Sequence, residues 1–241
     1  MTWPANGLIA EAVEICTVCR SAGFSVRLFG GIAARVVGRA WFESHPEHQR
    51  RAKDIDLVGR KENLVQLQQI LHQRGYQEIR QISLETEGTR AFFRRDEAVI
   101  DYSGDELVFA QRLPLRARLE CDFPTLSLTD LLLEKLQIVS PRSEQIVDFL
   151  ALVGSAAELN IEKQYFAEIL GRNWGYWHSA ELFLGCVHEY CLNEDLDEIR
   201  KAVTALEALV REVPRSLQWH VRSFFGEALP WHGVVEPMFG E

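Results

Sequence analysis

The feature that most constrains the fold is a pair of aspartates in a strand pattern, downstream of a glycine pair. Residues 26–29 predict a short strand that leads into Gly30-Gly31, after which the apolar spacing becomes helical. Asp54 and Asp56 alternate with apolar neighbours, and this period of two predicts a second strand with both acids on one face. A strand, a glycine turn, a helix and a second strand in this order indicate a front half of the α+β type.

Apolar periodicity predicts the remaining elements. The front half is expected to hold helices at 5–22 and 64–71 and strands at 76–82, 89–94 and 97–102. Ser127, with Asp130 three positions on, predicts the start of a helix whose apolar set runs to Ile138. Further helices are expected at 143–155, 161–171, 176–192, 195–212 and 215–226. We therefore predict an α+β fold, with a mixed β-sheet flanked by helices in domain 1–125 and a C-terminal helical bundle in domain 126–241.

Charge is unevenly distributed along the chain. The 241 residues have a net charge of −9, whereas residues 27–61 carry eight Lys and Arg against four acids. Residues 151–241 hold seven basic against fourteen acidic side chains. This balance argues against a protein that coats nucleic acid by bulk electrostatics, and it favours one anionic ligand at a local basic patch.

Composition and cysteine usage favour a cytoplasmic protein without membrane contact. The chain is 47% apolar and 25% charged, and no apolar run reaches the roughly 18 residues of a membrane span. Its first residues lack the basic-then-apolar pattern of a signal peptide. The five Cys are an odd number, which disfavours a disulfide framework, and the helical spacing of Cys16 and Cys19 favours buried thiols over a zinc site.

The glycine pair and three aspartates together predict a site for a phosphorylated ligand. Glycines let a backbone approach a ligand closely, and the N-terminus of the following helix presents N–H groups to phosphate oxygens. Asp54 and Asp56 share a strand face, and Asp101 ends a later strand, so three carboxylates would repel unless a cation sits among them. Oxygen ligands select a hard ion, Mg2+ or Mn2+. The plainer alternatives are an ordinary glycine turn and a solvated acidic strand face.

Four stretches carry a resemblance to a known family. They are residues 28–31 (Leu-Phe-Gly-Gly), residues 50–57 (Arg-Arg-Ala-Lys-Asp-Ile-Asp-Leu), residues 99–101 (Val-Ile-Asp) and residues 126–136 with Asp148 beyond them. The first three resemble the glycine pair, paired-aspartate strand and third aspartate of the polymerase-beta-like minimal nucleotidyltransferases. The fourth is similar to their AbiEii-type branch, which includes toxins of toxin–antitoxin pairs. The gap between the glycines and the paired aspartates is longer than in that family, which suggests an insertion around residues 41–48.

The resemblance implies a nucleotidyltransferase fold and assigns roles to individual residues. It implies that Asp54 and Asp56 bind the metal ion and that Asp101 is the third catalytic and metal-binding carboxylate. The nucleotide-binding candidates are Gly30, Gly31, Arg51, Lys53, Lys135 and Asp148. Arg51 and Lys53 enter this set because basic residues next to the acids favour contact with a triphosphate, the alternative being a solvated loop. For Lys135 the alternative is a surface lysine whose ammonium reaches water.

The function implied is Mg2+-dependent transfer of a nucleoside monophosphate from a nucleoside triphosphate to an acceptor hydroxyl. The acceptor could be an RNA 3' end such as that of tRNA, a protein or a small molecule, and the protein could be a toxin with an antitoxin partner. The AbiEii resemblance favours RNA, whereas the acidic charge balance does not. The alternative is a catalytically inactive nucleotide-binding or regulatory protein with the same fold. A further possibility is that the helical tail forms an oligomer surface.

Overall fold

The protein is described from a computed structural model, which covers residues 5–49, 52, 54–80, 89–155 and 161–233. Its residues divide into two compact units, and each is taken by itself below. The sheet unit falls within Met1–Leu107 and Pro114–Leu131, and the helical unit falls within Val108–Leu113 and Leu132–Glu241. The predicted boundary between residues 125 and 126 stays a prediction.

The sheet unit is built on a mixed five-stranded sheet. Its strands are β1 (Val26–Phe29), β2 (Asp54–Gly59), β3 (Gln77–Glu78), β4 (Arg90–Arg95) and β5 (Ala98–Gly104). The strand order is β1-β2-β5-β4-β3, in which β2 and β5 are parallel and the other neighbours are antiparallel. Its helices are α1 (Ala5–Ser21), α2 (Gly30–Val37), α3 (Arg39–Ser44) and α4 (Leu64–Gln73), with short 3-10 turns at Pro46–His48 and Lys61–Asn63.

The central strands are apolar on the side that faces the core. Ile55 and Leu57 of β2 and Ile100 and Tyr102 of β5 are fully buried, and they alternate with the polar positions of each strand. This alternation places one face of the sheet in the core and leaves the other for the acids. Two further strands, β6 (Glu106–Val108) and β7 (Arg112–Pro114), pair with each other.

The helical unit follows the predicted helix pattern closely. The helices that follow β7 along the chain are α5 (Leu128–Leu136), α6 (Ser143–Ser155), α7 (Lys163–Arg172), α8 (Trp174–Asn193), α9 (Asp197–Glu212) and α10 (Leu217–Phe225), with a 3-10 turn at Gly226–Ala228. Residues of α5 from Leu132 onward belong to the helical unit. The α+β class, with a mixed sheet flanked by helices and a helical C-terminal region, is thus confirmed.

The predicted start of α5 is also confirmed in its details. The Ser127 hydroxyl accepts a hydrogen bond from the Asp130 backbone N–H at 3.3 Å and donates one to Asp130 Oδ2 at 2.6 Å. This reciprocal pair caps the helix N-terminus. The helix ends at Leu136 and not at Ile138.

Three local features of the structure were not predicted as they stand. The short helix α3 was not predicted, and Trp41 and Phe42 supply its buried side. Of the strand expected at 76–82, the structure forms Gln77–Glu78, and residues 81–82 lie outside the described residues. The pairing of β6 with β7 was not predicted, because strands of three residues carry too little periodicity to detect.

Two other sequence-level expectations concern burial and helix length. Cys16 and Cys19 are buried in α1, and burial raises the pKa of each thiol to about 12. They are therefore thiols at neutral pH and not reactive thiolates. In the described part of the chain, no helix combines the length and the apolar character needed to cross a bilayer.

Candidate functional site

The three predicted acids lie on one face of two adjacent strands. In the parallel pair of β2 and β5, Asp56 stands directly opposite Asp101 and Asp54 stands opposite Val99. Cross-strand partners point to the same side of a sheet, so Asp54, Asp56 and Asp101 share that side. We call these three residues the sheet carboxylates. Asp54 is exposed, Asp56 is half-buried and Asp101 is 9% exposed, so the set runs from solvent inward.

Gly30 is required by both its conformation and its neighbour. It begins α2 with a φ of +65°, in the left-handed region that favours glycine. A Cβ built at this position would lie 2.0 Å from Asp56 Oδ2 and 2.8 Å from Asp56 Cγ. The Asp56 carboxylate therefore occupies the space that a side chain at position 30 would need.

The N-terminus of α2 matches the predicted phosphate-binding turn in its geometry. Phe29 occupies the N-cap position, and no side chain caps the helix there. Gly31 lies within the first turn, where its carbonyl accepts a hydrogen bond from Arg35 Nη1 at 3.2 Å. Backbone N–H groups of such a first turn are oriented along the helix axis and suit an anion. Phosphate binding by Gly30 and Gly31 stays a prediction.

Arg90 is a residue of this face that sequence reasoning missed. It begins β4 opposite Ser103 of β5, and its side chain reaches diagonally along the shared face to Asp101. Arg90 Nε donates to Asp101 Oδ1 at 2.9 Å, and Arg90 Nη2 donates to Asp101 Oδ2. The guanidinium also lies over the Phe92 ring, 4.8 Å from its centroid. This bidentate geometry engages both oxygens of the carboxylate.

The charge of Arg90 is shared between two sheet carboxylates. Burial lowers the pKa of Arg90, but the hydrogen bonds to Asp101 and the charges of Asp101 and Asp56 outweigh it, so the pKa is raised overall. The guanidinium is thus permanently charged. Because like charges directly opposite each other destabilise a sheet, Arg90 offsets the repulsion between Asp56 and Asp101.

The sheet carboxylates fit a divalent ion in part. Among the residues the structure describes, no group of three or more His, Cys, Asp or Glu side chains is arranged to hold a metal ion. Both oxygens of Asp101 are bound by Arg90. The pair that suits a hard cation by its chemistry is Asp54 and Asp56, two oxygen donors on one strand face. A metal site with three carboxylates stays a prediction.

The other predicted nucleotide-binding residues fall elsewhere. Arg51 and Lys53 lie outside the described residues. Lys135 and Asp148 come together within the helical unit, where Lys135 Nζ lies 3.6 Å from Asp148 Oδ2 and 3.5 Å from Glu134 Oε1. Lys135 is only 4% exposed, so the alternative of a surface lysine is wrong. We call Glu134, Lys135 and Asp148 the buried triad.

The buried triad leaves polar atoms unsatisfied. Burial raises the pKa of Glu134, and the nearby Asp148 adds to the increase, while Lys135 opposes it. Glu134 Oε2 and the neighbouring Gln137 Nε2 have no hydrogen-bond partner among the described residues. Gln137 uses its other side-chain atom, Oε1, to accept from the Gln111 backbone N–H at 3.1 Å.

Each missed residue had at most a weak signal in the sequence. Arg90 is one of several arginines near the predicted strands, and nothing local says which of them faces an acid. Glu134 stands next to Lys135 inside the apolar run Leu-Leu-Leu-Glu-Lys-Leu, where an adjacent acid and base would be an unusual interior pair. That second signal could have been used.

Comparisons with known proteins add little to this description. No protein-family model matches the chain, and no curated protein matches it. Among solved structures, that of the antibiotic-resistance factor ANT(2'')-Ia aligns with 81% of this chain and 99% of its own, at 11% sequence identity and a TM-score of 0.44. A likeness at this level carries no argument about function. The functional assignment therefore depends on the residues themselves.

Proposed function

We propose that this protein is a nucleotidyltransferase that transfers a nucleoside monophosphate from a nucleoside triphosphate to an acceptor hydroxyl. One observation carries the proposal: the Asp56 carboxylate packs against Gly30 at the start of α2 and stands beside Asp101 on the neighbouring strand. A helix N-terminus suited to phosphate and carboxylates suited to a divalent ion are therefore adjacent. That adjacency is what transfer of a charged phosphoryl group requires.

The sheet carboxylates and the glycine pair have separate roles in this proposal. Asp54 and Asp56 would hold Mg2+ or Mn2+, which when bound neutralises phosphate charge and favours ionisation of the attacking hydroxyl. Gly30 and Gly31 would bind triphosphate oxygens through the N-terminus of α2. Asp101 would orient the acceptor hydroxyl, which releases its proton to solvent water while its oxygen forms a bond to the α-phosphorus. The bond from that phosphorus to pyrophosphate breaks in the same displacement.

The finer parts of the proposal come from the resemblance and not from geometry. Arg51 and Lys53 would neutralise phosphate charge, and Lys135 and Asp148 would contact the nucleotide. An AbiEii-type member would transfer to an RNA 3' end such as that of tRNA, and it could act as a toxin with an antitoxin partner. Protein and small-molecule acceptors remain alternatives. The proposal assigns the protein to the cytoplasm, where nucleoside triphosphates and Mg2+ are abundant.

Ligand-induced stabilisation tests the donor site directly. The melting temperature of the protein is measured with each of the four nucleoside triphosphates, with and without Mg2+, for the wild type and Asp56→Asn. We expect a Mg2+-dependent rise for at least one nucleotide in the wild type only, since a ligand that binds the native state stabilises it. Glu198→Gln, an exposed acid in α9, is the charge-matched control. The proposal is wrong if no nucleotide raises the melting temperature at millimolar concentration.

A second candidate is a nucleotide-binding protein that transfers nothing. The observation in its favour is that Arg90 binds both oxygens of Asp101, leaving a carboxylate that is already paired. Release of labelled pyrophosphate from the stabilising nucleotide, with total RNA as acceptor and Asp56→Asn as blank, separates the two. Nucleotide-dependent stabilisation without release of pyrophosphate from the nucleotide, whether RNA, protein or a small molecule is offered as acceptor, would favour the binding protein.

A further inference from the structure

The contacts of Arg90 limit the number of carboxylates that are available to bind a divalent ion. Asp101 has both oxygens in hydrogen bonds to Arg90, and the pair is largely enclosed, with 12% of the Asp101 side chain and 25% of the Arg90 side chain exposed. An ionised carboxylate has about four lone-pair sites, of which this fork takes two. The remaining sites can accept a hydrogen bond from a further group, but a cation bound there would be close to the guanidinium charge.

The charges on this face also indicate that Arg90 and a divalent ion bind different carboxylates. Arg90 interacts with Asp56 as well as Asp101, and its guanidinium is held from a third side by the Phe92 ring. Arg90 and one divalent ion together would balance the three negative charges of the sheet carboxylates. A second divalent ion at Asp101 would have to displace a bidentate arginine, which is among the stronger protein ion pairs.

We propose that Arg90 is a positioning residue that binds Asp101 in place of a metal ion, so that Asp54 and Asp56 alone carry the divalent ion. This inference rests on the proposed function, and it reassigns Asp101 from metal ligand to a fixed acceptor of hydrogen bonds. The position of Arg90 opposite Ser103 is what brings its side chain to Asp101. Arg60, an exposed arginine just beyond the end of β2 that lies furthest from Asp54, serves as a matched control.

The test is a titration of the full chain with Mn2+ alone, followed by electron paramagnetic resonance of the free ion. Because removal of a nearby positive charge strengthens cation binding, Arg90→Gln should lower the Mn2+ Kd about tenfold. Arg90→Lys, which keeps the charge, should stay within about twofold of the wild type, as should Arg60→Gln, whose exposed charge lies beyond the far end of β2 from Asp54. A merely structural role for Arg90 would not tighten metal binding.

A double variant separates ligation from charge. Arg90→Gln combined with Asp101→Asn removes one charge of each sign, so the net charge of the face is unchanged. If Asp101 is not a ligand, the double variant should bind Mn2+ within about twofold of the wild type, whereas Asp56→Asn should bind at least about tenfold more weakly. A loss in the double variant as large as that in Asp56→Asn would overturn the role of Arg90. So would an Arg90→Gln affinity equal to that of Arg60→Gln.

The same titration distinguishes this inference from the proposed function. If the wild type and Asp56→Asn bind Mn2+ equally, the proposed function is wrong, and the inference fails with it. If Asp56→Asn loses Mn2+ and the double variant loses as much, the proposed function stands and only the role of Arg90 is overturned. Circular dichroism and a metal-free melting curve for each variant establish that it is folded. The double variant keeps the test decisive should Arg90→Gln alone fail to fold.

Discussion

The sheet carboxylates and the buried triad are two ionic groups that differ in the geometry of their ion pairs and in their exposure to solvent. On the sheet, a forked guanidinium meets Asp101 in two hydrogen bonds, and Asp54 remains exposed to solvent. In the helical unit, the compact ammonium of Lys135 stands 3.5 and 3.6 Å from two buried carboxylates. The sheet group keeps charge where a ligand can reach it. The buried triad keeps charge where any imbalance reduces the stability of the fold.

Removal of the triad's cation should have the largest effect on stability. Lys135→Met leaves Asp148 buried without its cation, and breaking a buried pair in this way costs about 3 to 5 kcal/mol of unfolding free energy. Urea unfolding of the full chain at pH 7 measures the loss. Lys163→Met, at an exposed position of α7, is the control and should change little. A loss below about 1 kcal/mol would mean that Lys135 and Asp148 do not form an ion pair in the native state.

Filling the space at Gly30 should have the next largest effect. Gly30→Ala imposes a strained positive φ and moves the Asp56 carboxylate, for an expected loss of about 2 kcal/mol. Mn2+ binding should weaken in the same variant, because Asp56 no longer occupies its position. Gly31→Ala, one residue further into α2, is the matched control for both the melting temperature and the titration. Equal effects at the two positions would contradict the role given to Gly30.

Glu134 should make stability depend on pH in the opposite direction from the usual carboxylate. Its native pKa is raised above the ordinary 4.5, chiefly by burial, so the native state binds the proton more tightly than the unfolded chain. The stabilisation is complete below 4.5 and is lost as the pH rises through the raised native pKa. The slope is at most about 1.4 kcal/mol per pH unit.

Unfolding midpoints in urea between pH 4.5 and pH 8 measure this dependence, and Glu134→Gln should flatten it. Glu198→Gln is again the exposed control, and it should leave the slope as in the wild type. If the wild type and Glu134→Gln depend on pH in the same way across this range, the raised pKa of Glu134 is contradicted.

Substitution of Asp54 should have the smallest effect on stability. Asp54→Asn changes an exposed carboxylate at the start of β2, so unfolding free energy should shift by less than about 0.5 kcal/mol. Mn2+ binding should nevertheless fall, because one of the two proposed ligands is lost. If Asp54→Asn is destabilised but still binds Mn2+ as the wild type does, Asp54 contributes to the stability of the fold and not to ligand binding, and the comparison with the buried triad fails.

Local patterns predicted much of the fold and part of the site. Alternation around Asp56 predicted β2 and the shared face of the two acids, and the Ser127 cap was predicted with its partner. The same method missed α3, because a helix of six residues offers less than two turns of periodicity. It also missed Arg90, since a strand pattern says which face a residue occupies but not which neighbour lies across the ladder.

The sequence by itself determined the order of the longer strands and helices, the acids on one strand face and the glycines at the turn, because these are properties of neighbouring residues. Only the tertiary structure decided that Arg90 neutralises Asp101, eleven residues away, and that Gly30 makes room for Asp56. It also decided that Lys135 is enclosed and not solvated. Strand register and burial set these contacts, and both depend on how segments pack together and not on any one segment's own pattern.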